Sequence, residues 1–400
     1  MQQFSADYIF TGNTAPIKNG VVVMDDNGVI IDVLNPAVNE INWQNVKKYE
    51  GIICPGFINT HCHLELSHLK GKISQYTQLH GFIQEIISLR EQFSEQERLE
   101  ALEKAEQEMK TNGIVAVGDI SNGNTTFKLK QQNNLYYHTF IEVFGSDPAI
   151  AETAFAHAEL LYNGYFDKTK VSMTPHATYS VSDKLTELIK LHGIENKSLV
   201  SIHNQETESE NQFFKEGKGK LFEFLNIAEK TKQTFKPTQQ NALPSFLVKY
   251  DGLGKILLVH NTFTTKEDIA WANRFSEYIY WAFCPNANQY IEGKQPNYSL
   301  FLNEKCTIGT DSLASNWSLS VLDELKTITK NSPQIPLETL IKWATFNGAE
   351  FLGITHQFGS IEKGKQPGIN LISCIDLKNL CLTKQSNVSV LLKSQPKQYR

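Results

Sequence analysis

Two histidines one residue apart, His61 and His63, end an apolar run that begins at Ile52 and is punctuated by Pro55-Gly56. Alternate residues of a strand share a face, so both imidazoles aim at one point, as a metal site requires. A bare His-x-His fits an unliganded strand end equally well. What separates the two readings is that four further strand-like runs, at 171–176, 199–203, 255–260 and 305–311, end in His176, His203, His260 and Asp311. Three neutral imidazoles and one carboxylate, with a position left for water, suit a single catalytic divalent cation, zinc before Fe2+. Such a cation brings the pKa of its water to about 7 and so makes hydroxide at neutral pH. Glu206 stands three residues past His203, where a carboxyl can lie over the site and shuttle a proton. Thr207, Glu208 and Glu210 beside it would equally make a solvated acidic turn.

Positioning these side chains takes many strands. Ser94-Glu-Gln-Glu97 reads as a capping box. It opens a helix whose Leu99, Leu102, Ala105 and Met109 share one face. Asn112-Gly113 stops that helix before a buried run at 114–119. Further strands are read at 137–143 and 278–284 in addition to the four above, with helices at 149–162, from Ser182 to His192 closed by Gly193, and after a Thr265 cap. Counted from Phe57, eight strands separated by helical connections are the pattern of a (β/α)8 barrel, here over residues 55–354. The rival is a doubly wound open sheet; no strand is followed by Gly-x-Gly-x-x-Gly, so its dinucleotide-binding form has no support. Barrels assemble their active sites at the C-terminal strand ends, where all the residues above fall. A last helix runs from Pro336, in its first turn, to Leu352-Gly353. Strand-like runs at 7–10, 20–24 and 28–33, with Asn27-Gly28 turn chemistry, and at 369–375 and 388–392 imply a small β-sandwich domain built from both termini, 1–54 and 355–400. Segment 207–250 is polar and helical, with a Lys/Gln-rich stretch at 230–240 that reads as a surface insertion.

The totals bound the function. A formal charge of −5 over 400 residues, without a basic tract, gives no support for nucleic acid. The longest apolar runs are strand-sized, short of the roughly 20 residues of a membrane helix. Residues 1–7 lack the positive start and apolar middle of a secretion signal. Six cysteines without Cys-x-x-Cys spacing, with Cys54, Cys306 and Cys374 in apolar strand-like runs, read as buried thiols of a cytoplasmic protein.

A set of motifs then carries a resemblance: Pro55-Gly-Phe-Ile-Asn-Thr-His61-Cys-His63, Thr174-Pro-His176-Ala-Thr-Tyr179-Ser, His203-Asn-Gln-Glu206, Val259-His260, Cys284-Pro-Asn286 and Gly309-Thr-Asp311-Ser. Together they resemble the amidohydrolase superfamily, in its branch of mononuclear-metal deaminases and chlorohydrolases, over nearly the whole chain. The resemblance implies that His61, His63, His203 and Asp311 hold the metal. Glu206 would protonate a ring nitrogen, His260 would orient the hydroxide, Asp311 would relay its proton to the departing ammonia, and His176 would face the substrate. Two-metal members carry a modified lysine at the end of the fourth strand; His176 stands there, so one metal is expected. Gly364-Lys-Gln-Pro367-Gly368 departs from the Gly-Lys-x-Ala-Asp of many relatives and is expected to alter the small domain only. His63-Leu-Glu65-Leu-Ser67 and the stretch Asp311 to Asp323 look most like aminodeoxyfutalosine deaminases, which act on a 6-amino purine nucleoside-like compound. Glu65 either reaches substrate polar groups or is a structural carboxylate bonded to nearby backbone. The expectation is hydrolytic deamination of an amino-substituted heterocycle, with a small-molecule substrate and a homodimer. The alternatives are a chlorohydrolase of an s-triazine, another aminopurine or pterin deaminase, and an inactive barrel used as a binding module.

Overall fold

The structure, a computed structural model, describes residues 1–229 and 236–394. Runs such as Ile256-Leu-Leu-Val-His260 and Ile279-Tyr-Trp-Ala-Phe283 are buried along their whole length, as strands covered on both faces must be. Eight such strands carry the site: β1 (Phe57–Cys62), β2 (Ile114–Ser121), β3 (Tyr136–Val143), β4 (Val171–Pro175), β5 (Val200–Asn204), β6 (Ile256–His260), β7 (Ile279–Phe283) and β8 (Cys306–Ile308). They pair in parallel in two runs, β1-β2-β3-β4 and β5-β6-β7-β8. Parallel bridges close both seams, Ala177 to His203 and Cys62 to Asp311. At the second seam Thr60 and Thr307 share a hydroxyl hydrogen bond of 2.7 Å, and Asn59 Nδ2 donates to Thr310 Oγ1 at 2.8 Å. The result is a closed (β/α)8 barrel.

The first crossover spans residues 63–113. It carries a 3-10 helix (Leu64–Leu69), α1 (Gln78–Leu89) and α2 (Glu95–Thr111). Ser94 and Glu97 form the expected capping box, and Gly113 takes the left-handed φ of 73° that ends the helix. Leu102, Ala105 and Met109 are buried, but Leu99 is exposed, because it lies about 60° round the helix from Leu102 at 100° per residue. α3 (Phe127–Gln131), α4 (Ala151–Gly164) and α5 (Asp183–Glu195) follow the next three strands. Gly193 does not close α5: it lies inside it, where a Cβ would sit 2.7 Å from Leu253 Cδ2. After β5 come α6 (Glu208–Glu216) and α7 (Lys220–Glu229). Residues 230–235 of the expected surface insertion lie outside the described residues. Pro336 is the N-cap of the final helical segment rather than its first turn, and Thr345, with φ −135° and ψ −81°, splits that segment into Leu337–Ala344 and Phe346–Leu352.

The chain ends build two further sheets. One orders Ile30–Leu34, Val21–Met24, Gln2–Ser5 and Lys47–Lys48; the other Asn387–Leu392, Ile369–Ser373, Ile52–Pro55, Tyr8–Ile9 and Ile17–Lys18. They share an apolar cluster that includes Phe4, Val22, Met24, Ile53, Ile369 and Leu371. Gln2–Ser5, Ile17–Lys18 and Lys47–Lys48 escape a sequence reading because strands of two to four residues are too short to display a period. The Gly364–Gly368 departure spans this region: Gly364 N donates to Ile30 O, and Gly368 O accepts from Gly56 N at the entry to β1. Cys374 is exposed, because the strand ends at Ser373 and the chain turns out with φ 55°; Cys54 and Cys306 are buried as expected. Among the described residues no helix is long and apolar enough to cross a membrane.

Candidate active site

Strand ends bring five donors together. His61 lies inside β1 and His63 just past it, His203 and His260 belong to β5 and β6, and Asp311 follows β8. His63 Nε2 is 3.2 Å from His61 Nε2 and 3.3 Å from His203 Nε2; Asp311 Oδ1 is 3.4 Å from His63 Nε2 and 3.7 Å from His61 Nε2. His260 joins His61, His203 and Asp311 in a set whose ligand atoms all lie within 4.8 Å of one another. Atoms about 2.0–2.1 Å from a tetrahedral zinc stand about 3.3–3.4 Å apart, so the spacing around His63 is that of a coordination sphere. Burial pushes the His63 and His203 imidazoles down, the latter strongly, and takes His260 to about 4, so these rings offer lone pairs rather than charge at neutral pH. Each neutral ring has one N–H to give, and for His203 and His260 it is given elsewhere. The donor set fits a divalent cation.

The supporting bonds aim the donors. His203 Nδ1 donates to the His176 carbonyl at 2.6 Å, which also receives the His203 backbone N–H at 3.0 Å. That leaves Nε2 for the cluster. His260 Nδ1 donates to Asn288 Oδ1 at 2.8 Å, which turns Nε2 toward Glu206 Oε1, 3.8 Å away. Ser315 Oγ donates to Asp311 Oδ2 at 2.5 Å. His260, Asn261 and Asp311 hold φ of 74°, 57° and 57°, a strain of about 1–3 kcal/mol each. A Cβ at Gly309 would lie 2.8 Å from His61 Cβ and 2.9 Å from Cys284 Sγ, so glycine is what lets the end of β8 approach β1.

The turn after β5 is not a solvated one. Glu206, Thr207 and Glu210 are buried, and only Glu208 of the four is exposed. Burial first, then the charges of Asp311, Glu292 and Glu210, push the Glu206 carboxyl well above the usual range. Its backbone N–H donates to Glu210 Oε2 at 3.1 Å, and Glu210 Oε1 accepts from Thr178 Oγ1 at 2.6 Å. A cavity of about 310 Å³ opens over the cluster, bordered by His63, His203, His260, Asp311, Glu206, Glu142 and His176. Its apolar wall is Leu79, Phe82, Ile83, Ile86 and Ile87 of α1 with Phe224 and Leu225 of α7. Glu65 does not border it. Both of its oxygens face the Asn122 backbone N–H at 3.1 Å, and burial raises its carboxyl to about 7.

The sequence profile described as the amidohydrolase family matches residues 52–395. The chain belongs to the amidohydrolase family. An aminodeoxyfutalosine deaminase from a Nitratiruptor species is 26% identical over 374 residues, covering 88% of each chain. Helicobacter pylori aminofutalosine deaminase in complex with methylthio-coformycin shares 21% identity and superposes with a TM-score of 0.79 over 99% of each chain. An adenosine deaminase from Xanthomonas campestris with bound zinc shares 20% identity and a TM-score of 0.71, covering 94% of this chain and 86% of that one.

Three polar residues of this amidohydrolase's site escaped the sequence reading. Asn288 lies two residues beyond the quoted Cys284-Pro-Asn286, whose own Asn286 bonds Thr327 and Glu324 instead. Asn122 and Glu142 meet at 2.8 Å over the ends of β2 and β3. Glu142 carried a usable signal, an acidic residue closing a barrel strand, the same one that singled out Asp311.

Proposed function

We propose that this amidohydrolase deaminates an aminopurine nucleoside-like heterocycle by hydrolysis, with one zinc ion held by His61, His63, His203 and Asp311. A cation there supplies the nucleophile by acidifying a water, to a pKa of about 7 for zinc. Glu206 carries the reading. A carboxyl pushed well above its usual range by burial, bordering the cavity beside the donor cluster and 3.8 Å from His260 Nε2, is placed to protonate a ring nitrogen as charge develops there. His260, anchored through Nδ1, presents Nε2 to the attacking water and orients it. Asp311 faces the histidine cluster through Oδ1 and accepts from Ser315 on Oδ2, and its carboxylate would take the water proton and pass it to the leaving amine. His176, with Nδ1 3.0 Å from Ser180 Oγ, borders the cavity and faces the substrate. Glu65 acts at one remove, through Asn122. The apolar wall suits a planar heterocycle and an apolar substituent, and relatives named as deaminases of adenosine-like compounds support the substrate class. Six free thiols, four of them buried, support a reducing, cytoplasmic location. The test is product release from a panel of aminopurine nucleosides, pterins and chloro-s-triazines. Ammonia from an aminopurine nucleoside is the expected result; halide release without ammonia would replace deamination by dehalogenation.

A further inference from the structure

Glu142 has a carboxylate oxygen with no partner. The residue lies at the C-terminal end of β3 and is 7% exposed. Oε2 accepts from Asn122 Nδ2 at 2.8 Å, whereas Oε1 has no hydrogen-bond partner among the described residues, although Glu142 borders the cavity. The near candidate, His203 Nδ1, is 3.7 Å away and already donates to the His176 carbonyl. The carboxylate is also held in place: Asn122, which bonds it, is anchored through its backbone N–H to Glu65. A desolvated acceptor left unpaired is costly. An oxygen so placed at the cavity can receive a donor that enters with the ligand.

We propose that Glu142 receives a sugar hydroxyl of the substrate, and so selects a ribosyl-bearing heterocycle over the free base. This deepens the deaminase reading above and rests on it. Strand order places the group: Glu206 follows β5 and leans to His260 of β6, while Glu142 closes β3, on the His63 and His203 side of the cluster. A ring with one nitrogen at Glu206 leaves its far side, where a nucleoside carries its sugar, to the rest of the cavity, which Glu142 borders.

The test uses the full chain loaded with zinc. Ammonia release is measured from an aminopurine ribonucleoside and its 2′-deoxy, 3′-deoxy and 2′,3′-dideoxy analogues, for wild type and Glu142→Gln. The expected result is a loss in kcat/KM of about 10- to 100-fold for the variant on the ribonucleoside, mainly in KM. Wild type should lose a similar factor on the analogue lacking the contacted hydroxyl, and the variant should lose nothing more on it. Zinc per chain should not change. Additive losses overturn the contact, and loss of zinc in the variant makes Glu142 a metal ligand instead. Wild type alone also decides, should the variant fail to fold: equal kcat/KM on ribo- and dideoxy-substrates overturns the proposal. If wild type deaminates no aminopurine nucleoside at all, the underlying deaminase reading falls, and this assignment falls with it.

Discussion

Glu206 and the histidines around it are tuned by one force, burial, in opposite chemical senses. It pushes the Glu206 carboxyl up and the His203 and His260 imidazoles down, the directions that favour a proton donor beside lone pairs. Glu206→Gln keeps the volume and loses the acid, so kcat/KM should fall by about 10²- to 10⁴-fold while metal content stays at the wild-type level. Ammonia assays paired with metal analysis check this, and near-normal turnover would remove the acid assignment. The protonated form is the active one and its pKa is raised, so the contribution of this acid to kcat/KM should be present below that pKa and be lost as pH rises through it. The Gln variant should flatten that limb. His61, His63, His203, His260 and Asp311 were legible in the sequence because each sits at the end of a strand-like run. Asn288 and Asn122 were not, because a residue that bonds a donor need keep no fixed spacing from it in the chain.

β2, β3 and α3 share a buried ion pair that reaches the site from below. Lys130 of α3 places Nζ 2.6 Å from Asp119 Oδ2, 3.0 Å from Ser121 Oγ and 2.9 Å from Thr139 Oγ1, and both charged side chains are fully buried. Asp119 Oδ1 also takes the Leu64 backbone N–H at 2.8 Å, one residue past His63. Lys130→Met would leave Asp119 buried and unpaired, a loss of about 3–5 kcal/mol in unfolding free energy. Urea titration should show it, and Lys130→Met with Asp119→Asn should recover part of it. His138 on β3 gives a pH prediction of definite sign. Burial, then the charge of Lys130, take its imidazole from 6.5 to about 3, and Ser172 Oγ bonds it at 2.8 Å. Between those values the unfolded chain binds a proton that the native one refuses, so stability falls as pH drops from 6.5 toward 3, by up to about 1.4 kcal/mol per pH unit. His138→Gln should lose less over that range in parallel melts; equal slopes would refute it. At this scale the capping box of α2 could be read directly from Ser94 and Glu97, since the signal is local. The break at Thr345 could not, because nothing in its neighbours in sequence announces it.

The whole molecule is tied together where its chemistry is placed. β1 belongs to one four-stranded run and β5 to the other, and Asp311 extends β8 back to β1, so the donors span both halves of the barrel and both seams. Eight strands and their helical spacing suggested a barrel from sequence, but its closure depends on pairs such as Cys62 with Asp311 that no local pattern links. An ion held by His61, His63, His203 and Asp311 would bind the closed barrel and not the unfolded chain, adding RT ln(1 + [L]/Kd) of stability, about 2.7 kcal/mol at a hundred times Kd. Chelation should therefore lower the unfolding midpoint of the wild-type protein, and zinc should restore it in a concentration-dependent way. Glu206→Gln, which leaves all four ligands in place, should show the same shift as wild type. His203→Ala removes a ligand at the β4–β5 seam and should melt at one temperature with or without zinc. Catalysis and stability separate in these two variants: one loses turnover and keeps the metal-linked shift, the other loses both. A wild-type midpoint indifferent to zinc would mean that the converging side chains do not hold an ion.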